Sequence, residues 1–245
     1  MDIKIKLEND YSIDFTIKNE RIVNTIKENN AFKGGQIILQ IPKVDDVYRY
    51  KIEYNDCKVY KISGNKDEEN FRNSKFDDKT TDKDNELKTI VLLLESPHEH
   101  EYDSNNMPKA PAQGTTGDNI EKYITSVIKE LIDLDEKVFD ECVYRLIISN
   151  PIQYQASLFM YHNKKLKDEY STLRNQVWRE IWKVNEIKKD FKDRMDLYKP
   201  SLIINACTYS LQKKVTDYLL SEKYSNIYTT YHPSYWNGFN IKKQK

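Results

Sequence analysis

The chain has 245 residues, 32% of them charged, and its 39 lysines and arginines balance 39 aspartates and glutamates. That length can bury a sizeable core, the apolar runs fall well short of the roughly 18 residues a membrane span needs, and zero net charge argues against a protein that coats nucleic acid nonspecifically. Cys57, Cys142 and Cys207 stand far apart with no CxxC pair, which excludes a disulfide framework or a four-cysteine zinc or iron–sulfur site within one chain. They read as buried thiols.

The opening "MDIKIKLEND" alternates charged and apolar residues and lacks the apolar core of a secretory signal, so a cytoplasmic location is expected. Six short alternating runs follow one another: "IKIKL", "SIDFTI", "RIVNTI", "GQIILQI", "YRYKIEY" and "CKVYKI". They predict a small antiparallel β unit over residues 1–64. Residues 65–87 are almost wholly polar or charged and predict a linker or mobile loop.

From residue 88 the pattern changes. "TIVLLLE" is a continuous apolar run of strand length, "NIEKYITSVIKELIDL" has helical spacing, and "YRLIISN" is a second buried run. A long amphipathic stretch over about 165–195 leads to "SLIINA", then to the helical "TYSLQKKVTDYLLSE" and the strand "NIYTTY". Trp178 and Trp182, four apart, predict core. The basic residues of 161–199, among them Lys164, Arg174, Arg179, Lys188, Lys192 and Arg194, read as a solvated helix face. The predicted fold class is α/β over residues 88–245: a mostly parallel four-stranded sheet with helices on both faces, preceded by the small β unit.

In such a fold ligands sit at the carboxyl ends of the strands. Each predicted strand hands over there to chemistry, in "ESPHEHEYD", "NPIQYQ", "NACT" and "HPSYW". The groups collected include Glu95, Ser96, His98, Glu99, His100, Glu101, Asn150, Gln153, Asn205, His232 and Ser234. Gly114 and Gly117 in "PAQGTTGDNI" let backbone approach a ligand, and Thr116 or Asp118 can cap the helix that follows. Several readings stay open. His98 and His100, two apart on an extended segment, face one way and suit a metal; alternatively the loop is simply solvated, or it brings one of Glu95, Glu99 and Glu101 into a pocket. His232 is either packed on Tyr231 and Tyr235 at a strand end or a donor to a ligand. Asn150 before Pro151 either starts a turn or reads a ligand.

The order of these motifs resembles the uracil-DNA glycosylase superfamily over about residues 88–240. "HPSYW" is similar to the His-Pro-Ser-Tyr-Leu form of its iron–sulfur (family 4) branch, and "ESPHE" to that branch's Gly-Glu-Ala-Pro-Gly loop. The resemblance implies a monofunctional DNA glycosylase that hydrolyses the N-glycosidic bond of a flipped-out deaminated or modified base. It places Glu95, Ser96 and Pro97 on the loop that positions the attacking water, with Glu99 a further candidate catalytic carboxylate. "PAQG", with Ala112, Gln113 and Gly114, falls where the family writes Pro-Phe-Val-Gly. Asn150 falls on the residue that reads the base or holds water, His232 on the donor to the leaving base, and Ser234, Tyr235 and Trp236 on the substrate side, Trp236 in place of an apolar wedge.

The departures carry expectations too. Ser96 replaces an Asp, which passes acid work to Glu95, Glu99 or Glu101. Ala112 replaces the stacking aromatic, which widens the pocket for a bulkier base, such as one in modified phage DNA, or leaves stacking to Tyr102 or Tyr154. No iron–sulfur cysteines are present, and no cofactor or resident metal is expected. The expected partner is single- or double-stranded DNA, without a membrane, with a protein partner for the N-terminal β unit. Two alternatives are a noncatalytic nucleotide- or nucleic-acid-binding module of the same fold and a metal-dependent hydrolase using His98 and His100.

Overall fold

The computed structural model describes residues 2–6, 12–18, 21–27, 37–55, 58–62, 87–139, 143–157, 170–238 and 240–244, with side chains described within 42–53, 87–139, 143–157, 174–238 and 240–244. Residues 65–86 of the predicted 65–87 linker, Cys57, Cys142 and the lysines at 164–167 lie outside these residues. All six N-terminal runs form strands: β1 (Asp2–Lys6), β2 (Ser12–Lys18), β3 (Arg21–Lys27), β4 (Ile37–Pro42), β5 (Val47–Asn55) and β6 (Lys58–Ile62). Only the first four make a separate antiparallel sheet, in the order β1-β2-β3-β4.

The second half of the chain supplies β7 (Lys88–Leu93), α1 (Thr115–Leu134), β8 (Val143–Ser149), α2 (Tyr170–Trp182), α3 (Asn185–Tyr198), β9 (Pro200–Asn205), α4 (Tyr209–Ser221), β10 (Ile227–Thr229) and the two-residue β11 (Lys242–Lys243). The main sheet runs β11-β10-β9-β7-β8-β5-β6. Its four central strands, β10, β9, β7 and β8, are mutually parallel, as the apolar runs predict, and antiparallel strands flank them.

The expected boundary at residue 64 is therefore corrected: β5 and β6 extend the α/β sheet, with β5 paired antiparallel to β8. The physical reason is burial. Val47, Tyr50 and Ile52 are part of the core under α1, and Asp46 is 1% exposed, so the start of β5 is interior to the larger fold.

Alternation along β7 divides the core. Ile90, Leu92 and Leu94 face α1, whose Ile120, Ile124, Val127, Ile128 and Leu131 recur at helical spacing. Val91 and Leu93 face the other layer, where Trp178, Phe191, Met195, Leu211 and Val215 of α2, α3 and α4 pack. Burying one such large apolar side chain stabilises by about 1.5–3 kcal/mol. Trp178 and Trp182 stack with ring centroids 5.1 Å apart, in the core as predicted. The amphipathic stretch expected as one unit is two helices, because Val184 (φ −74°, ψ 124°) is extended and its side chain turns into the core.

The exposed faces of α3 and α4 carry Lys189–Asp193, Lys192–Asp196 and Lys213–Asp217 pairs at i,i+4, the solvated face that the charge pattern predicts. Crossovers explain the layers. From β7 the chain steps to β8 through α1; it then returns across β7 to β9 through α2 and α3, and continues to β10 through α4. Right-handed crossovers in opposite directions put α1 on one face and the other helices on the opposite one. The order reverses at β7, so the loops after β7 and β9 part there and leave a crevice. Among the described residues no helix is long and apolar enough to cross a membrane.

Candidate functional site

At that crevice is a cavity of about 470 Å³. Glu95, Ser96, Pro97, His98, His100 and Glu101 from the loop after β7 line it, with Gly114, Thr115 and Thr116 at the start of α1. Ser157 follows β8, Arg174 comes from α2, Thr208 follows β9, and His232, Ser234 and Tyr235 follow β10. The acidic loop and the imidazole thus share one cavity, which the strand-end pattern requires.

Glu95 is almost fully buried and fixed on both oxygens. Its Oε1 is 2.7 Å from Arg174, and its Oε2 accepts from the Thr208 hydroxyl at 2.5 Å and the Thr208 amide at 3.3 Å. The Trp178 indole N–H donates to its carbonyl at 2.9 Å. This carboxylate is a pinned negative charge whose lone pairs are committed. Arg174 belongs to the basic run read as a solvated face; here it turns inward, and helical spacing gives no sign of it.

Glu101 is different. Its Oε1 accepts the Ala112 amide at 2.8 Å, while its buried Oε2 has no hydrogen-bond partner among the described residues. Burial pushes its pKa up to about 8, against the favourable contributions of the Ala112 N–H and Arg49. Asn150 stands beside it, near enough to favour the charged carboxylate, yet among the described residues neither its amide nitrogen nor its oxygen completes a hydrogen bond. Such unpaired buried groups each cost about 1–3 kcal/mol, which an incoming ligand with matching donors and acceptors would recover.

Asn150 is positioned from a distance. Asp46, in the link between β4 and β5, accepts from the Asn150 backbone N–H (3.3 Å), Ser149 Oγ (2.9 Å), Gln153 Nε2 (2.9 Å), Tyr198 (2.8 Å) and Arg194 (2.6 Å). Gln153, one of the collected strand-end groups, is thereby a structural residue. So is Asn205, whose amide donates to Gln212 and Thr216 and accepts from Cys207.

His232 is half-buried, and its Nδ1 lies 2.6 Å from Ser234 Oγ and accepts the Ser234 amide at 3.3 Å. A neutral ring whose Nδ1 accepts carries its proton on Nε2. Burial lowers the His232 pKa, partly offset by Glu95, so the ring is a neutral donor near pH 7. Asn119 of α1 anchors the turn by donating to the Pro233 carbonyl at 2.9 Å.

Several expected site residues lie elsewhere. Ala112 is wholly buried with φ 59°, and its carbonyl accepts from Arg49, so it does not widen the cavity. Gln113 is half-buried and outside the cavity wall, and so is Glu99, on a 3-10 turn beside His100. Tyr154 and Tyr102 are core residues, which removes them as stacking rings. Trp236 is wholly buried and donates its indole N–H to the Tyr231 carbonyl at 2.7 Å, so it cannot act as a wedge; the exposed ring of that turn is Tyr235. Gly114 is the residue before α1 and no side chain caps the helix, so neither Thr116 nor Asp118 does so; α1 begins a turn earlier than its apolar pattern.

Two signals were beyond sequence reasoning. Arg49 donates to the Pro111 and Ala112 carbonyls at 2.5 and 3.3 Å, and Asp46 organises the loop after β8; both precede the predicted domain. Cys207 is a buried thiol, as expected, and donates to the Leu94 carbonyl. His98, Glu99 and His100 have ligand atoms within 4.8 Å of one another, enough to gather around a divalent cation with modest rotation. Burial lowers the His98 pKa, partly offset by Glu99, which keeps that ring neutral. Compared with known proteins, the chain matches no family model, no curated protein and no solved structure.

Proposed function

We propose that this chain is a monofunctional DNA glycosylase of the uracil-DNA glycosylase superfamily, hydrolysing the N-glycosidic bond of an extruded deaminated or modified base. The observation that carries the reading is that His232, Glu95 and Glu101 line one cavity at the sheet's switch point although Glu101 and His232 are 131 positions apart in the chain. The reaction leaves positive charge on the sugar and negative charge on the departing base, so it calls for an anion near the sugar, a placed water and a donor to the base.

Glu95, pinned by Arg174 and Thr208, serves as the anion. Glu101 in its ionised form takes the proton of the water: a pKa near 8 leaves a minority of the group ionised near pH 7 but makes that minority a stronger base, and its Oε2 is uncommitted among the described residues. His232 donates from Nε2 to the leaving base. Asn150 is wholly buried behind Glu101 and is not on the cavity wall, so it acts on the site through that carboxyl and does not read the base directly. Ala112 is buried outside the cavity, so its small size does not select a bulky base.

Mass spectrometry of free bases released from uracil-containing and modified DNAs tests this. His232→Ala and Glu101→Gln are expected to lower release by about two to three orders of magnitude with the fold intact. No release from any DNA by folded wild-type protein would sink the reading in favour of a noncatalytic binding module. A second reading, metal-assisted hydrolysis, is favoured by the His98–Glu99–His100 cluster. Hydrolysis lost on chelation and restored by added zinc would mark it.

A further inference from the structure

On the other side of His232 lies a second cleft of about 290 Å³, between the loop after β9 and the segment after β10. It shares Thr208, His232 and Tyr235 with the first cavity, so the imidazole stands in the partition between them. Three of its rings are strongly exposed: Tyr209 at 91%, Tyr231 at 50% and Tyr235 at 66%. Isolated exposed tyrosines are ordinary, but three around one concavity form flat faces on which planar rings stack.

The polar groups of the cleft favour a phosphate and a hydrogen-bonding ligand. Thr208 precedes α4, and its hydroxyl donates to Glu95 instead of capping the helix, which leaves the first-turn amides of a 13-residue helix without a side-chain cap. Lys242 stands on the rim with no ion-pair partner among the described residues. Independently of the helix, Thr230 lines the cleft, is 2% exposed, and its hydroxyl has no partner among the described residues. Gln212 holds the floor by donating to the Asn205 and Thr230 carbonyls at 3.0 and 2.7 Å.

We propose that this cleft is a nucleotide subsite, taking the nucleotide that adjoins the one in the first cavity, with its base stacked on Tyr209 and Tyr231 and its phosphate at the start of α4 near Lys242. The word "adjoins" rests on the glycosylase reading; the subsite rests on the cleft. A neighbour held on tyrosines has left its own helical stack, so the cleft selects single-stranded DNA. Base–aromatic stacking tolerates any sequence, because every base has a π-face.

The test is fluorescence anisotropy of the full chain with labelled, unmodified oligothymidylate and with a duplex of the same length. Wild type is expected to bind the single strand more tightly. The Tyr209→Ser, Tyr231→Ser variant is expected to lose about tenfold or more in affinity, and the Tyr209→Phe, Tyr231→Phe variant to retain it. Lys242→Gln is expected to weaken binding and flatten its salt dependence. Equal affinity of the Ser variant and wild type for oligothymidylate, or tighter binding of the duplex, overturns the proposal even if base release is found. Tyrosine-dependent binding without base release upholds the subsite and removes the glycosylase reading.

Discussion

Glu101 shows how one buried carboxyl ties chemistry to stability. The unfolded chain releases its proton near pH 4.5, while the folded chain holds it to about 8. Between those values the folded state binds more protons, so the contribution of this group to stability is fully present below about pH 4.5 and is lost as pH rises towards 8. Urea unfolding from pH 5 to 8.5 should show wild type losing stability relative to Glu101→Gln across that window; parallel curves would contradict the assigned environment. The "HEHE" run marked the neighbourhood in the sequence, with Glu101 one of three equivalent carboxylates. What separates them is that Glu95 meets Arg174, Glu99 is not on the cavity wall, and Glu101 is desolvated with one oxygen that accepts no hydrogen bond from the described residues. None of these follows from spacing, since each partner arrives from another element.

Elements hold the site through close backbone contacts. A Cβ on Gly117 would stand 2.0 Å from the Ala112 carbonyl oxygen, so the first turn of α1 rests directly on the 111–112 backbone. Gly→Ala inside a helix ordinarily stabilises by about 1 kcal/mol. Here the clash is expected to reverse the sign and cost about 1–3 kcal/mol, read as a lower denaturation midpoint. The same segment is gripped from the other side by β5. Its pairing with β8 skips a residue between Tyr48 and Tyr50, and the extra one, Arg49, reaches the Pro111 and Ala112 carbonyls. A bulge re-aims one side chain without breaking the strand, and it cannot be read from alternation, which "YRYKIEY" keeps.

For the molecule as a whole, the loop after β8 depends on a residue that precedes the predicted α/β domain. Asp46 joins β8, α3 and the link after β4 around a carboxylate that is 1% exposed and paired with Arg194. Asp46→Ala leaves Arg194 with the half-exposed Asp190 as its one carboxylate partner among the described residues. The expected cost is about 3 kcal/mol, seen in denaturant unfolding. A change near zero would contradict the role given to this carboxylate in holding the loop after β8.

Sequence alone determined the α/β class and most strand positions, while the predicted four-stranded sheet is the parallel centre of a seven-stranded one. All six N-terminal runs and the four parallel strands lie where alternation and continuous apolar runs placed them, because those periods record which faces leave water. It also determined which strand ends carry polar chemistry. Tertiary structure decided which of those groups share a cavity: it brought Glu95, Glu101 and His232 together, sent Ala112, Tyr154 and Trp236 into the core, and moved β5 and β6 into the main sheet. Local sequence fixes how a segment meets solvent. Which distant segment then fills its lone pairs and covers its rings depends on crossovers and close packing that no short window of residues encodes.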